Sequence, residues 1–108
     1  MSQILELNDA NFQQNVADKD LAIVDIYASW CGSCRLFYKI FEEVSREQAE
    51  LAYFKIDGDD NESFREGIDV TNLPFVAAFH KGKYLGGLST AKKEGLVKFI
   101  ERMKEQVQ

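Results

Sequence analysis

Metal ligands are scarce in this chain, with two cysteines and one histidine among its 108 residues. A structural zinc site needs four ligands, so Cys31, Cys34 and the distant His80 do not suffice and no metal site is expected. Cationic residues are also outnumbered, 13 Lys and Arg against 18 Asp and Glu, for a formal charge of -5. That balance leaves no clustered positive charge to neutralise phosphates, and nucleic acid is not expected as a partner. No stretch approaches the roughly eighteen consecutive apolar residues that cross a bilayer. The leading MSQILELND has neither a basic start nor a long apolar run, so no membrane partner is expected and the location expected is cytoplasmic. In that reducing compartment two cysteines point to catalysis or metal binding rather than to a structural bridge. Repeats, low-complexity tracts and Pro/Gly/Ser-rich linkers are missing as well. Residues 1–108 therefore read as one domain, expected to be a monomer.

What is present reads as an ordinary globular chain, 45% hydrophobic and 29% charged, long enough to bury its own core. Ile4 to Leu7 reads as a short strand, and Asn8 or Asp9 can cap a helix carrying Phe12 and Val16. LAIVDIYA, Leu21 to Ala28, is a nearly continuous apolar run of strand length, as in a strand covered on both faces. Leu36, Phe37, Ile40, Phe41 and Val44 then recur at helical spacing and make one apolar stripe. Leu51 to Ile56 reads as a strand and Asn61 to Glu66 as a short helix. Phe75 to Phe79 and Tyr84 to Leu88 read as an antiparallel hairpin turning at Gly82. Leu96, Phe99, Ile100, Met103 and Val107 mark a last helix. Strands alternating with helices predict an α/β sheet with helices on both faces. The acidic run DGDDNE, Asp57 to Glu62, lacks calcium-loop spacing and reads as a solvated loop in which Asp60 or Asn61 caps the short helix.

Cys31 and Cys34 fall where the central strand ends and the long helix begins. A sulfur at the first helical turn faces unpaired backbone N–H groups and the positive end of the helix dipole, which favour thiolate over thiol. An unperturbed thiol, with a pKa of about 8.5, is only about 3% ionised at pH 7. The i, i+3 spacing also sets the two Cβ atoms about 5 to 6 Å apart on one helix face, close to what a disulfide requires. A reversible disulfide is therefore the expected chemistry, with Cys31 attacking a partner's disulfide and Cys34 resolving the mixed disulfide. A structural bridge would close too short a loop to remove much unfolded-state entropy.

Asp25 is the anomaly of the apolar run. Period-two alternation puts it on the same strand face as Ile23 and Tyr27, among apolar neighbours, so burial is expected to raise its pKa. A carboxyl group tuned upward in this way, close in sequence to Cys34, can accept that thiol's proton. The competing reading is an aspartate pointing out from an exposed face of the sheet.

WCGSC after VDIYAS, the single Leu-Pro about forty residues later at Pro74, and KGK followed by GGLS together resemble the thioredoxin family over essentially the whole chain. The resemblance implies the thioredoxin fold, a central mixed sheet of about five strands flanked by about four helices. It implies a dithiol-disulfide oxidoreductase acting on disulfide-containing proteins, with no bound cofactor, recharged by a thioredoxin reductase that draws electrons from NADPH. It implies a Cys31 pKa brought down to about 7, the value thioredoxins are noted for, which makes half of the sulfur thiolate for roughly 2 kcal/mol of differential interaction. By the same resemblance Asp25 is the proton acceptor of Cys34, and Lys55 lies near that aspartate and moderates its shift. Trp30, Gly32, Ser33, Leu73, Pro74, Leu85 and Gly86 flank the substrate groove, with Leu73–Pro74 cis against the general preference for trans. Without the resemblance, Lys55 is a solvated strand lysine, Trp30 a core residue, and Gly86 a turn glycine.

Three positions depart from the family pattern: Ser33 stands where proline is usual, Lys39 where a helix-kinking proline is common, and Phe75 where threonine is usual. Loss of the proline ring frees a backbone N–H and relaxes the helix start, which is expected to favour thiolate and make the pair more oxidising. A disulfide oxidase or isomerase on the same fold is therefore an alternative reading. A binding module that docks a partner through Trp30 and Pro74 without turnover is another.

Overall fold

The apolar run around Asp25 forms β2 (Ala22–Tyr27), the middle strand of a five-stranded sheet in the computed structural model, which describes residues 4–108. On one side β2 pairs in parallel with β3 (Ala52–Asp57), which pairs in parallel with β1 (Leu5–Leu7). On the other side it runs antiparallel to β4 (Phe75–His80), which is followed by the antiparallel edge strand β5 (Lys83–Ser89). Parallel neighbours need a long crossover, and α2 (Gly32–Glu47) supplies it between β2 and β3. The sheet is thus mixed, and its central strand has both edges satisfied.

Alternation along the strands sends side chains to two cores. Val24 and Ile26, with Phe54, Ile56, Ala77 and Phe79, face α1 (Phe12–Val16) and Phe64 of a 3-10 turn at Ser63–Arg65. Ile23, Tyr53, Val76 and Ala78 face α2 and α3 (Lys93–Gln106) and pack on Phe37, Phe41 and Val44 and on Leu96, Phe99 and Ile100. Each fully buried side chain of this size contributes about 1.5–3 kcal/mol relative to exposure. Asp25 lies on the α2 side, one strand position beyond the core residue Val24 and two beyond Ile23.

Among the described residues, three α-helices and one 3-10 turn stand where about four helices were expected. The Asp9 carboxylate accepts the backbone N–H groups of Glu62 (2.9 Å), Ser63 (3.2 Å) and Phe64 (3.1 Å). Asp9 is therefore not the cap of α1, whose N-cap position is Asn11, with Asn8 accepting the Asn11 N–H at 3.0 Å. Neither Asp60 nor Asn61 caps the turn. The Asn61 side chain instead accepts from Asp9 N–H (2.9 Å) and donates to the Asp57 carbonyl (3.0 Å), stitching the two loops together. Leu36 also departs from expectation. A helix advances about 100° per residue, so a stripe centred on Phe37, Phe41 and Val44 leaves Leu36 on its flank, 68% exposed. At the hairpin, Lys81 (φ 48°) and Gly82 (φ 85°) are both left-handed, the pair of conformations that a two-residue turn between twisted strands requires.

Candidate active site

The strand that carries Asp25 ends at Tyr27, and after three intervening residues the chain enters α2 with Cys31 as its N-cap. Cys31 is extended (φ -88°, ψ 104°), so its side chain folds back over the open end of the helix. Its Sγ accepts the Cys34 backbone N–H at 3.1 Å, taking up one of the donors that a helix start leaves unpaired. Cys31 and Cys34 form a disulfide with Cα atoms 5.3 Å apart. The Ser33 Oγ lies 3.4 Å from Cys31 Sγ; a disulfide sulfur carries no proton, so the hydroxyl is the donor. Gly32 is exposed, with open space where a Cβ would stand. Cys31 is less accessible than a helix-tip position suggests, 6% exposed against 3% for Cys34. Ala28, Tyr27 and Leu73 account for this cover, because they pack directly on the pair.

Leu73 reaches the cysteines from the loop before β4. The Leu73–Pro74 peptide is cis, and the Pro74 carbonyl accepts the Thr90 N–H at 3.2 Å and the Ser89 hydroxyl at 3.4 Å. The Ser89 hydroxyl also donates to the Asn72 carbonyl at 3.1 Å. Leu85 and Gly86, expected in the groove, lie elsewhere. Leu85 is half-buried against the core cluster that holds Leu96, Phe99 and Ile100 of α3, and a Cβ on Gly86 would meet Met103 at 3.7 Å. The register explains the displacement. Ser89 stands opposite Phe75 while Gly86 stands opposite Ala78, three residues or about 10 Å further along the strand. Ser89, the last residue of β5, and Thr90 just after it are the residues that reach Pro74.

Trp30 is 70% exposed, so it does not pack in the core. Its indole N–H donates to Asp59 Oδ2 at 2.5 Å, and the Asp59 N–H donates to Asp57 Oδ1 at 2.9 Å. The acidic loop is therefore braced against the cysteine loop rather than merely solvated. Trp30, Asp59, Arg65, Asn72 and Leu73 help to line a hollow of about 250 Å³ on this side.

On the other side of the disulfide a pocket of about 360 Å³ runs inward past Cys34, Tyr38 and Lys55 to Asp25. Asp25 is 1% exposed, and among the described residues its two carboxylate oxygens are the only buried side-chain oxygens or nitrogens without a hydrogen-bond partner. Burial pushes its pKa up from the ordinary 3.8 to about 7, and the nearby Lys55 charge opposes the rise. The Lys55 ammonium lies 3.9 Å from Glu6 Oε1 and 4.4 Å from the centroid of the Tyr38 ring. Glu6 also accepts a hydrogen bond from the Tyr27 hydroxyl. Burial, then Glu6, holds the Tyr27 phenol well above its usual range.

The fold thus brings Asp25, Cys34 and Lys55 to one pocket and Cys31, Cys34 and Leu73 into one cluster, with Trp30 and Pro74 beside them. Tyr38, Glu6, Asp59, Ser89 and Thr90 join the site without having been singled out in the sequence. Tyr38 alone had a local signal: it stands four residues after Cys34 and so shares its side of the helix.

A family model described as thioredoxin matches residues 3–102. Thioredoxin of Mycoplasmoides gallisepticum is 32% identical over 76 residues, covering 70% of this chain and 76% of that protein. Protein disulfide-isomerase A4 of Bos taurus is 29% identical over 94% of this chain, which spans only 16% of that longer protein. Among solved structures, Fasciola hepatica thioredoxin superposes with a TM-score of 0.79 at 29% identity, covering 92% of this chain and 97% of that one. A thioredoxin f2 in complex with ferredoxin:thioredoxin reductase has the same fold, with a TM-score of 0.85 at 21% identity and coverage of 95% and 97%.

Proposed function

Since this chain belongs to the thioredoxin family and is a thiol-disulfide oxidoreductase of that family with a Cys31–Cys34 disulfide, we propose that it works as a protein-disulfide reductase. In the reduced protein the Cys31 thiolate attacks one sulfur of a substrate disulfide. The substrate S–S bond breaks, one substrate thiolate leaves, and a mixed disulfide forms. Cys34 passes its proton to Asp25 and attacks the Cys31 sulfur, which expels the second substrate thiolate and leaves the Cys31–Cys34 disulfide. Two electrons from a thioredoxin reductase, drawn from NADPH, restore the dithiol.

The observation that carries this reading is the 3.1 Å bond from the Cys34 N–H to Cys31 Sγ at the open end of a 16-residue helix. A donor already aimed at the sulfur stabilises a thiolate there without reorganisation. The buried, unpartnered carboxyl of Asp25 in the pocket that also borders Cys34 supports its part as proton acceptor. Lys55 moderates that acid. Trp30, Gly32, Ser33, Leu73 and Pro74 form the substrate contact, with the Leu73 backbone pairing to an extended segment as a strand adds to a sheet edge. Ser89 and Thr90 replace Leu85 and Gly86 in that set. The solved complex of a thioredoxin f2 with its reductase supports docking of this fold on such a partner. The protein is taken to act as one monomeric domain in the cytoplasm.

The test is reduction of insulin disulfides by the protein with NADPH and a thioredoxin reductase. Catalytic turnover that consumes NADPH is expected. Stoichiometric binding without turnover favours a non-catalytic docking module instead.

Ser33 favours a second reading, in which the same chemistry runs as oxidase or isomerase. Its hydroxyl, 3.4 Å from Cys31 Sγ, donates to the sulfur and stabilises thiolate, which raises the potential of the pair. Ser33→Pro removes the hydroxyl and a backbone donor, so its potential is expected to fall by tens of millivolts, about 30 mV for each 1.4 kcal/mol. Equilibration of both proteins with glutathione checks this, and a Ser33→Pro protein no more reducing than the parent contradicts it.

A further inference from the structure

Lys55 is the register partner of Asp25 across the β2–β3 pair, and both line the same pocket. A lysine beside a buried carboxyl ordinarily turns to pair with it, since the low-dielectric interior strengthens that attraction. Here neither oxygen of Asp25 has a hydrogen-bond partner, while the ammonium makes its ion contact with Glu6 at 3.9 Å. The Tyr38 ring lies beneath it, 4.4 Å from nitrogen to centroid, within the range where a cation is drawn to the face of an aromatic ring. The Tyr27 ring is further off, at 6.0 Å.

We propose that Tyr38 is a positioning residue whose ring, together with the Glu6 carboxylate, seats the Lys55 ammonium at the rim of the pocket and withholds it from Asp25. By keeping the nearest cation off the acid, the ring lets burial set the proton affinity of Asp25. The catalytic meaning of this arrangement rests on Asp25 being the proton acceptor of Cys34, but the geometry does not. The groups around Asp25 limit the alternatives. Helix α2 contributes Cys34, Arg35 and Tyr38; β3 contributes Lys55 and Asp57; β1 contributes Glu6; and its own strand contributes Tyr27. On the remaining side β4 places the apolar Val76 opposite it. Arg35 is exposed on the helix surface, and Lys55 is the cation whose charge opposes the rise in Asp25.

Carboxyl carbon NMR titration of Asp25 in the oxidised protein tests this with no thiol present. Tyr38→Leu keeps an apolar wall but removes the ring face, so Lys55 is free to turn inward and the Asp25 pKa is expected to fall by about one. Tyr38→Phe keeps the ring and is expected to leave the titration in place. In a Lys55→Met background, Tyr38→Leu is expected to have no further effect, because the two residues act through one contact. An unmoved titration in Tyr38→Leu overturns the proposal. A fall of equal size in the Lys55→Met background also overturns it, since the ring would then act by excluding water. If Asp25 titrates lower in Tyr38→Leu but the pH dependence of mixed-disulfide resolution does not follow, the positioning role stands and the proton-acceptor reading fails.

Discussion

Cys31→Ser is expected to abolish NADPH-dependent reduction of insulin, with a loss of more than about a thousandfold, because a serine hydroxyl cannot replace a thiolate nucleophile near neutral pH. Cys34→Ser is expected to fail differently. Its Cys31 still attacks substrate, but nothing resolves the mixed disulfide, so a covalent complex accumulates that dithiothreitol releases. The asymmetry follows from the structure. Cys31 is the N-cap residue, whose sulfur receives a backbone donor, while Cys34 sits one turn deeper in the pocket that ends at Asp25. Gel analysis of both variants after incubation with a disulfide substrate reads the two outcomes. A covalent complex formed by Cys31→Ser, with none from Cys34→Ser, would reverse the assigned roles.

Asp25→Asn is expected to stabilise the oxidised protein, by an amount that depends on pH. The folded carboxyl holds its proton up to about pH 7, whereas an aspartate with the ordinary value of 3.8 loses it earlier. Between those values the native state binds more protons than the unfolded state, so the parent loses stability as pH rises. Asparagine does not ionise and is spared that loss. The gain of the variant is therefore absent below about pH 4, grows through the window from 3.8 to about 7, and levels off above it. At about 1.4 kcal/mol for each tenfold change in proton affinity, its ceiling is roughly 4 kcal/mol. Urea melts at pH 4 and pH 8 measure it. Equal stability of the two proteins at pH 8 would mean that Asp25 is not held protonated by burial.

The main outline of both fold and site was legible in the sequence because it rests on local patterns. The apolar run around Asp25 read as a covered strand, the stripe of Leu36, Phe37, Ile40, Phe41 and Val44 gave the buried face of α2 apart from Leu36, and the place of Cys31 and Cys34 between the two put both thiols at the helix start. Strand alternation put Asp25 on the face of Ile23 and Tyr27, and the structure shows that the Ile23 face is the one packed against α2. What escaped was set by contacts between segments far apart in the chain. Asp9 caps a turn 53 to 55 residues away, a partnership that no local capping pattern reveals. Leu85 and Gly86 were expected in the groove by family resemblance, but the register with β4 sets them about three residues from Pro74, which Ser89 and Thr90 reach instead. Tyr38 and Glu6 meet Lys55 only because β1, β3 and α2 converge, and none of the three carries a pattern that marks the others.

The central claim is that the helix start makes Cys31 anionic near neutrality while Cys34 keeps its proton above a buried acid. Titration of both thiols in the reduced protein, followed by thiolate absorbance in the parent and in the two single-serine variants, tests it most directly. Cys31 is expected to ionise well below the roughly 8.5 of a free thiol, near 7, with Cys34 ionising later. A Cys31 no more acidic than free cysteine, or a Cys34 that ionises first, would contradict the account.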